Sequence, residues 1–308
     1  MNARSADGTL QSLPLKAMLY MLVAVASFVL VDTSAKWLTA GYSIVQILFF
    51  GRVLGPFFAL YLAYRRGNGL ADLKTRRPML HLVRTLLALG AIGTYFYALK
   101  VLPLAECISI GFSAPLFMAV LSIPMLGEKI GPRRWAAILV GLVGVVVILR
   151  PGVLPVSWGA LSALASGILY ALSFILARRM SATESLPSLM FWFTAIGLVV
   201  TSIALPFVWI APAWSDMLPF AVVAILTTFA HLFITQAFRY GEVSMLAPIE
   251  YTALIWGVIY GWLIWGDLPD IWVFAGAGIM IASGVYLLHR EHKLGKAQTP
   301  IAKIPTDL

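Results

Sequence analysis

Apolar residues run along this chain in long blocks, and short polar stretches separate them. A helix rises ~1.5 Å per residue, so about 20 apolar residues cross a hydrocarbon core of ~30 Å. The pattern predicts ten such spans, at roughly 16–37, 44–64, 79–100, 104–126, 132–149, 157–177, 188–211, 217–238, 243–265 and 271–289. Gly or Pro marks most connections: Gly41, Gly67, Pro103, Pro132, Pro151, Pro187, Pro212, Gly241 and Pro269. The third and fourth spans nearly fuse at Lys100–Leu104, so nine or eleven spans stand as alternatives. The first 15 residues are polar, and no small-residue cleavage site follows the apolar run after Lys16, so that run reads as a retained helix.

Composition sharpens the pattern. The 308 residues are 61% hydrophobic and 11% charged, with a mean hydropathy of +0.91; a soluble domain is about 25% charged. One soluble core cannot hold this much apolar surface. The expected class is an all-α membrane protein whose apolar faces meet lipid or other helices. A single cysteine, Cys107, excludes an intrachain disulfide and a cysteine metal site.

The net charge of +9 matters through its location and does not imply a nucleic-acid partner. With ten alternating spans, one side collects 17 basic residues, among them Arg65, Arg66, Lys74, Arg76, Arg77, Lys129, Arg178 and Arg179. The other side holds Lys36, Lys100 and Arg150, while Arg52 and Arg84 fall inside spans. This bias places both termini in the cytoplasm of a bacterial cell, with the chain in the inner membrane.

The halves of the chain are alike. A shift of 139 residues carries Ala98 onto Ala237, Lys100 onto Arg239, Gly127 onto Gly266 and Glu128 onto Asp267. The expected organisation is a cytoplasmic tail (1–15), a first repeat (16–150), a second repeat (157–289) and a second tail (290–308). Five spans is an odd number, so the second half enters the membrane from the opposite side, as in many secondary transporters. Two halves that share only apolarity are the alternative.

Gly127-Glu128 after the fourth span, Gly266-Asp267 after the ninth and the five-plus-five repeat resemble the drug/metabolite transporter superfamily, in particular its EamA type. The likeness covers about residues 16–290. Asp32-Thr-Ser-Ala-Lys36-Trp37, Phe49-Phe50-Gly51-Arg52, Arg77-Pro78 with His81 and Arg84, and Ala247-Pro248 with Glu250-Tyr251 are similar to the branch containing S-adenosylmethionine uptake carriers. Pro103–Glu106 followed by Gly111–Leu116 resembles the riboflavin importers of the same superfamily. Amino-acid and metallophore exporters also belong to it. The resemblance implies a ligand cavity between the halves, no ATP hydrolysis and no cofactor; it fixes neither cargo nor direction.

Charges inside a bilayer are costly, at least ~2.5–3.5 kcal/mol on insertion scales, so each calls for a reason. Arg52 lies roughly 12 Å from the outer end of its span, and Asp32 and Lys36 lie at neighbouring depth. The three read either as an anion site or as a structural charge cluster. His231 and Glu250 sit at matching depth on consecutive spans and read as a proton-coupling pair or a neutral hydrogen bond, with Glu250 also suited to a substrate ammonium. At the 139-residue shift His231 falls on Ile92, Glu250 on Gly111 and Arg52 on Phe191, so these charges are confined to one half. Glu106 reads as a side chain that snorkels to water, and Arg84 either snorkels or contacts a phosphate or the cavity. Pro115 and Pro248 interrupt spans and read as hinges or kinks. Tyr97, Ser113 and Tyr251 complete the candidate binding set with Asp32, Lys36, Arg52 and Glu250. Ala137 with Gly141, and Gly278 with Ala282, have the spacing of close helix contacts.

No catalytic or metal-binding motif occurs, and the loops are too short for a soluble catalytic domain. A channel would need a polar face along several helices. The expectation is therefore a secondary carrier of a small polar metabolite, an amino acid or a derivative such as a metallophore, with export favoured and uptake of S-adenosylmethionine or riboflavin as the alternative. Its partners are the small-molecule cargo and membrane lipid, with protons and a second copy in a homodimer as further partners.

Overall fold

The computed structural model describes residues 14–65, 69–126, 131–150, 157–181, 183–240, 246 and 249–294. The Gly127-Glu128 motif, Pro248 and residues 1–13 and 295–308 of the tails lie outside the described residues. The helices are α1 (Pro14–Leu38), α2 (Ile44–Val53), α3 (Gly55–Arg65), α4 (Pro78–Val101), α5 (Leu104–Gly111), α6 (Ala114–Leu126), α7 (Pro132–Leu149), α8 (Trp158–Met180), α9 (Leu186–Ala204), α10 (Met217–Tyr240), α11 (Thr252–Trp265) and α12 (Ile271–Leu294). Among the described residues there is no strand. Seven stretches are long and apolar enough to cross a bilayer, and three shorter apolar helices join them. The protein is a multi-pass α-helical membrane protein.

Local chemistry sets the boundaries. Ser43, Ser157 and Ser185 each precede a helix, and each hydroxyl accepts the backbone N–H three residues on. Proline explains the interruptions. The span expected at 44–64 breaks between α2 and α3, because Pro56 has no N–H for the carbonyl of Arg52. The span at 104–126 breaks between α5 and α6, where Pro115 lacks the donor for Gly111. The third and fourth spans do not fuse: Leu102 is extended (ψ 155°) and Pro103 opens the next helix. The span drawn to 211 stops at Ala204, and residues 205–216 lead to the next helix through two short 3-10 turns. Gly266 ends α11 at φ +71°, a left-handed value that suits glycine.

Connections assigned to one side by charge touch one another. At the basic end, Lys16 lies 4.4 Å from the Tyr240 ring, and Glu184 accepts from Thr75 Oγ1 and the Arg76 N–H. At the opposite end, the Tyr42 hydroxyl donates to Asp216 (2.8 Å), the buried Gln46 amide exchanges two hydrogen bonds with the Ile210 backbone, and Arg150 pairs with Asp270 at 2.8 Å. Exposed Trp37, Trp158, Trp209, Trp214 and Trp272 ring that end, as tryptophans do at a lipid–water boundary.

Helix packing runs mainly between the halves: α1 with α10, α4 with α8, α7 with α12, α2 and α3 with α9, and α5 with α11. Several contacts occur twice, exchanged by one shift. Ser283 Oγ donates to the Ala137 carbonyl, and a Cβ at Gly144 would strike the Gly276 carbonyl; 139 residues separate Ala137 from Gly276 and Gly144 from Ser283. A Cβ at Gly55 would strike Thr194, and one at Gly197 would touch Arg52; here the separation is 142. The 139-residue register thus fails at α2 and α9, because the helical stretch before the connection is three residues shorter in the second half, 19 residues in α9 against 22 from Ile44 to Arg65. Arg52 corresponds to Thr194, not to Phe191. The close approach of α7 and α12 likewise uses Gly144 and Gly276. Gly278, expected at that seam, has nothing within 4 Å of an added Cβ.

Candidate transport site

The two interruptions of the halves meet. Phe112, at the α5–α6 break, packs edge-on against Tyr251 just before α11, with ring centroids 5.2 Å apart. These residues are 139 apart in the chain, so each is the other's counterpart. Beside them Ser113 is fully buried, and its Oγ has no hydrogen-bond partner. Its carbonyl accepts the Leu116 and Phe117 N–H groups, which starts α6 beside Pro115. Glu250 precedes Tyr251, is exposed in the protein, and lies with Arg84 within electrostatic reach of Tyr170 on α8.

The expected Asp32–Lys36–Arg52 cluster does not form; each group has a different partner. Asp32 accepts from the Tyr95 hydroxyl at 3.1 Å. Lys36, one turn on, reaches away to α4, where its ammonium donates to the carbonyls of Leu99 (3.0 Å) and Leu102 (2.5 Å) and lies 5.3 Å from the Trp265 ring. The reason lies in Pro103: it cannot supply the N–H that Leu99 would receive in a continuing helix, and the lysine replaces it at a helix end that favours cations. Tyr97 is 200° around α4 from Tyr95. It falls on the exposed stripe with Val83, Leu86 and Val101, so Tyr95 faces the interior and Tyr97 does not.

Arg52 is buried, at 5% exposure, and forms no ion pair among the described residues. Its guanidinium carbon lies 4.6 Å from the centroid of Phe193 on α9. The Arg84 guanidinium lies 4.6 Å from the same centroid, with Nη1 donating to the Leu189 carbonyl at 3.2 Å. Arg84 therefore turns inward to α9 and does not snorkel, which leaves the cavity alternative standing. The two charges are at most 9.2 Å apart, twice 4.6 Å. At an effective dielectric of ~20 they repel by roughly 2 kcal/mol or more. A cation on an aromatic face returns ~0.5–2 kcal/mol each, yet Arg52 Nη2 and Arg84 Nε stay buried without hydrogen-bond partners.

His231 lies within electrostatic reach of Arg52. Its Nδ1 is 2.7 Å from the Thr227 carbonyl, a contact that requires the proton on Nδ1, and its ring meets Phe28 edge-on at 5.0 Å. Thr227 on α10 and Phe28 on α1 thus pack against the imidazole. Among the described residues no group of three metal-ligating side chains occurs.

Several determinants escaped sequence reading. Phe193, Phe112 and the fully buried Gln46 lack any charge signal. Glu184, which holds the loop before α4 and lies 3.9 Å from the buried His81, stands close after Arg178 and Arg179, and a lone acid so near a basic pair was the available clue.

A helical protein with two mutually packed halves, interrupted helices meeting inside it and isolated charges within its spans has the architecture of a membrane carrier. The EamA-like transporter family model matches residues 15–150 and again 157–289, and the chain belongs to that family. It is a transporter of small molecules, not an enzyme. It is 25% identical to a riboflavin transporter of Rhizobium johnstonii over 89% of this chain and 91% of that protein. It is 26% identical to an S-adenosylmethionine uptake transporter of Rickettsia prowazekii (91% and 94%), and 29% identical to the pseudopaline exporter CntI of Pseudomonas aeruginosa (89% and 96%). A solved crystal structure superposes with a TM-score of 0.62 at 20% identity, over 90% of this chain and 98% of that one, which shows the shared fold.

Proposed function

We propose that this protein is a secondary carrier working by alternating access between two oppositely inserted five-helix repeats, residues 16–150 and 157–289, in a bacterial inner membrane with both termini cytoplasmic. The observation that carries the proposal is the contact of Phe112 with Tyr251: equivalent residues of two halves meet on the axis that relates them, at the point where both backbones are interrupted. Exchanging the conformations of the halves about that contact opens the site to one side and then the other. The doubled contacts at α7–α12 and α2–α9 support the same symmetry, and the clustering of basic loops supports the orientation.

The cargo is an amino-acid-sized metabolite. Arg52 meets its carboxylate, Glu250 its ammonium, and Tyr251, Phe112 and Ser113 its body. Glu250 or His231 carries the coupling proton. Asp32 tunes the site through Tyr95, and the break at Pro115 serves as the hinge. Export is the proposed direction, supported by the likeness to the pseudopaline exporter; the relatives named for S-adenosylmethionine uptake support import as the second reading. Inside-out vesicles holding the protein, supplied with a labelled metabolite panel with and without a proton gradient, test this. Export predicts saturable accumulation driven by the gradient. Flux that ignores the gradient removes the coupling, and no flux of any candidate removes the carrier.

A further inference from the structure

Two guanidinium groups inside this membrane protein pack on one ring, and among the described residues neither is ion-paired with a carboxylate. Arg52 comes from the end of α2, Arg84 from α4 and Phe193 from α9, so three helices have been brought together to hold the two charges side by side. Arg52 is 95% or more buried, and its Nη2 has no partner. Arg84 has one carbonyl for Nη1, and its Nε is unsatisfied. The acids described nearby do not fill the gap: Asp32 is tied to Tyr95, Glu184 sits in the loop with Thr75, and Glu250, though it shares Tyr170 with Arg84 as a neighbour, is an electrostatic partner of neither arginine. The small neighbour Gly197 leaves room for the Arg52 stem, because a Cβ there would touch it.

We propose that the Arg52–Phe193–Arg84 unit is a clamp for a doubly anionic group, two carboxylates or one phosphate, carried by the transported molecule. The clamp rests on the carrier reading above and narrows it, since a cargo with one carboxylate and no other acid leaves one arginine unmatched. Guanidinium forks suit this task because each presents paired N–H donors to carboxylate or phosphate oxygens. A purely structural pair would have its donors satisfied, since burial of an unpaired charge is destabilising. A bound anion would take up the open donors, and the shared ring sets both forks side by side to meet it.

The test is thermal unfolding of the purified full-length protein with succinate, glutarate, inorganic phosphate, acetate or chloride, for the parent and for Arg52→Gln. The clamp predicts that a dicarboxylate or phosphate raises the parent's midpoint by several degrees at millimolar concentration, and that acetate and chloride do not. Arg52→Gln should melt no lower than the parent in the absence of anion and should lose the response. A dicarboxylate response with no phosphate response assigns two carboxylates, and the reverse assigns a phosphoryl group. A parent indifferent to every anion overturns the clamp, as does an Arg52→Gln protein that keeps the response. If Arg52→Gln does not fold, Arg84→Lys decides: it keeps the charge and loses the fork, so at least a tenfold loss of apparent anion affinity supports the clamp and unchanged affinity overturns it. Metabolite flux in vesicles, measured alongside, separates the two readings. Flux without an anion response removes the clamp alone, and an anion response without any flux removes the carrier.

Discussion

Lys36 shows how the structure divides scaffold from cargo contact. Its side chain replaces a backbone donor that Pro103 removes, and it bonds the carbonyls of Leu99 and Leu102. In Lys36→Met the stem length is kept and the ammonium is lost. Each orphaned carbonyl then costs about 1–3 kcal/mol, and the contact with Trp265 adds about 0.5–1 kcal/mol. Relief from burying the ammonium offsets part of this, leaving a net loss of about 2–4 kcal/mol. For a chain of this size each kcal/mol lowers the midpoint by roughly 2 °C, so a fall of about 4–8 °C is expected in a thermal scan of the purified protein. The apparent cargo affinity of the molecules that remain folded should not change. Lys36→Met protein that melts with the parent and no longer transports would refute this reasoning and put the lysine on the cargo.

Three further outcomes follow from the geometry. Gly276→Val should greatly lower the yield of folded protein on size-exclusion chromatography, because its side chain meets the Gly144 carbonyl across the α7–α12 seam, whereas Gly278→Val should behave as the parent. Tyr95→Phe removes the hydrogen bond to Asp32 and should lower transport several-fold; Tyr97→Phe, on the outward stripe, should leave transport within about twofold. Single cysteines at Gly69 and Gly131, in a Cys107→Ala background, should react with an impermeant maleimide from the cytoplasmic side, and those at Gly41 and Trp214 from the opposite side.

Much of this architecture was legible in the chain because a bilayer imposes simple rules. Span length follows from membrane thickness, loop charge reports sidedness, and proline marks the places where a helix must lose a backbone bond. Pro115 therefore shows in the sequence where α5 and α6 part, whereas the break that Pro56 makes between α2 and α3 fell inside a span drawn as continuous. That Arg52 and Asp32 lie within long apolar helical stretches was legible too. Azimuth was not. Apolar residues surround these helices on every side, so periodicity does not say which face looks inward, and Tyr97 was chosen where Tyr95 faces Asp32. Partners were not legible either: long side chains such as Lys36 and Arg84 reach several ångströms to another helix, and depth alone predicts neither the α4 carbonyls nor the shared Phe193 ring. The register of the repeat failed at Arg52 because a three-residue difference in helix length is invisible to a single shift.

Accessibility of a cysteine at position 112 tests the central claim most directly. In Cys107→Ala membranes bearing Phe112→Cys, the account predicts that an impermeant thiol reagent reaches this position from each side of the bilayer in turn, and that transported cargo slows both reactions. Labelling from one side only, unchanged by any cargo, would contradict a site that alternates between the two faces.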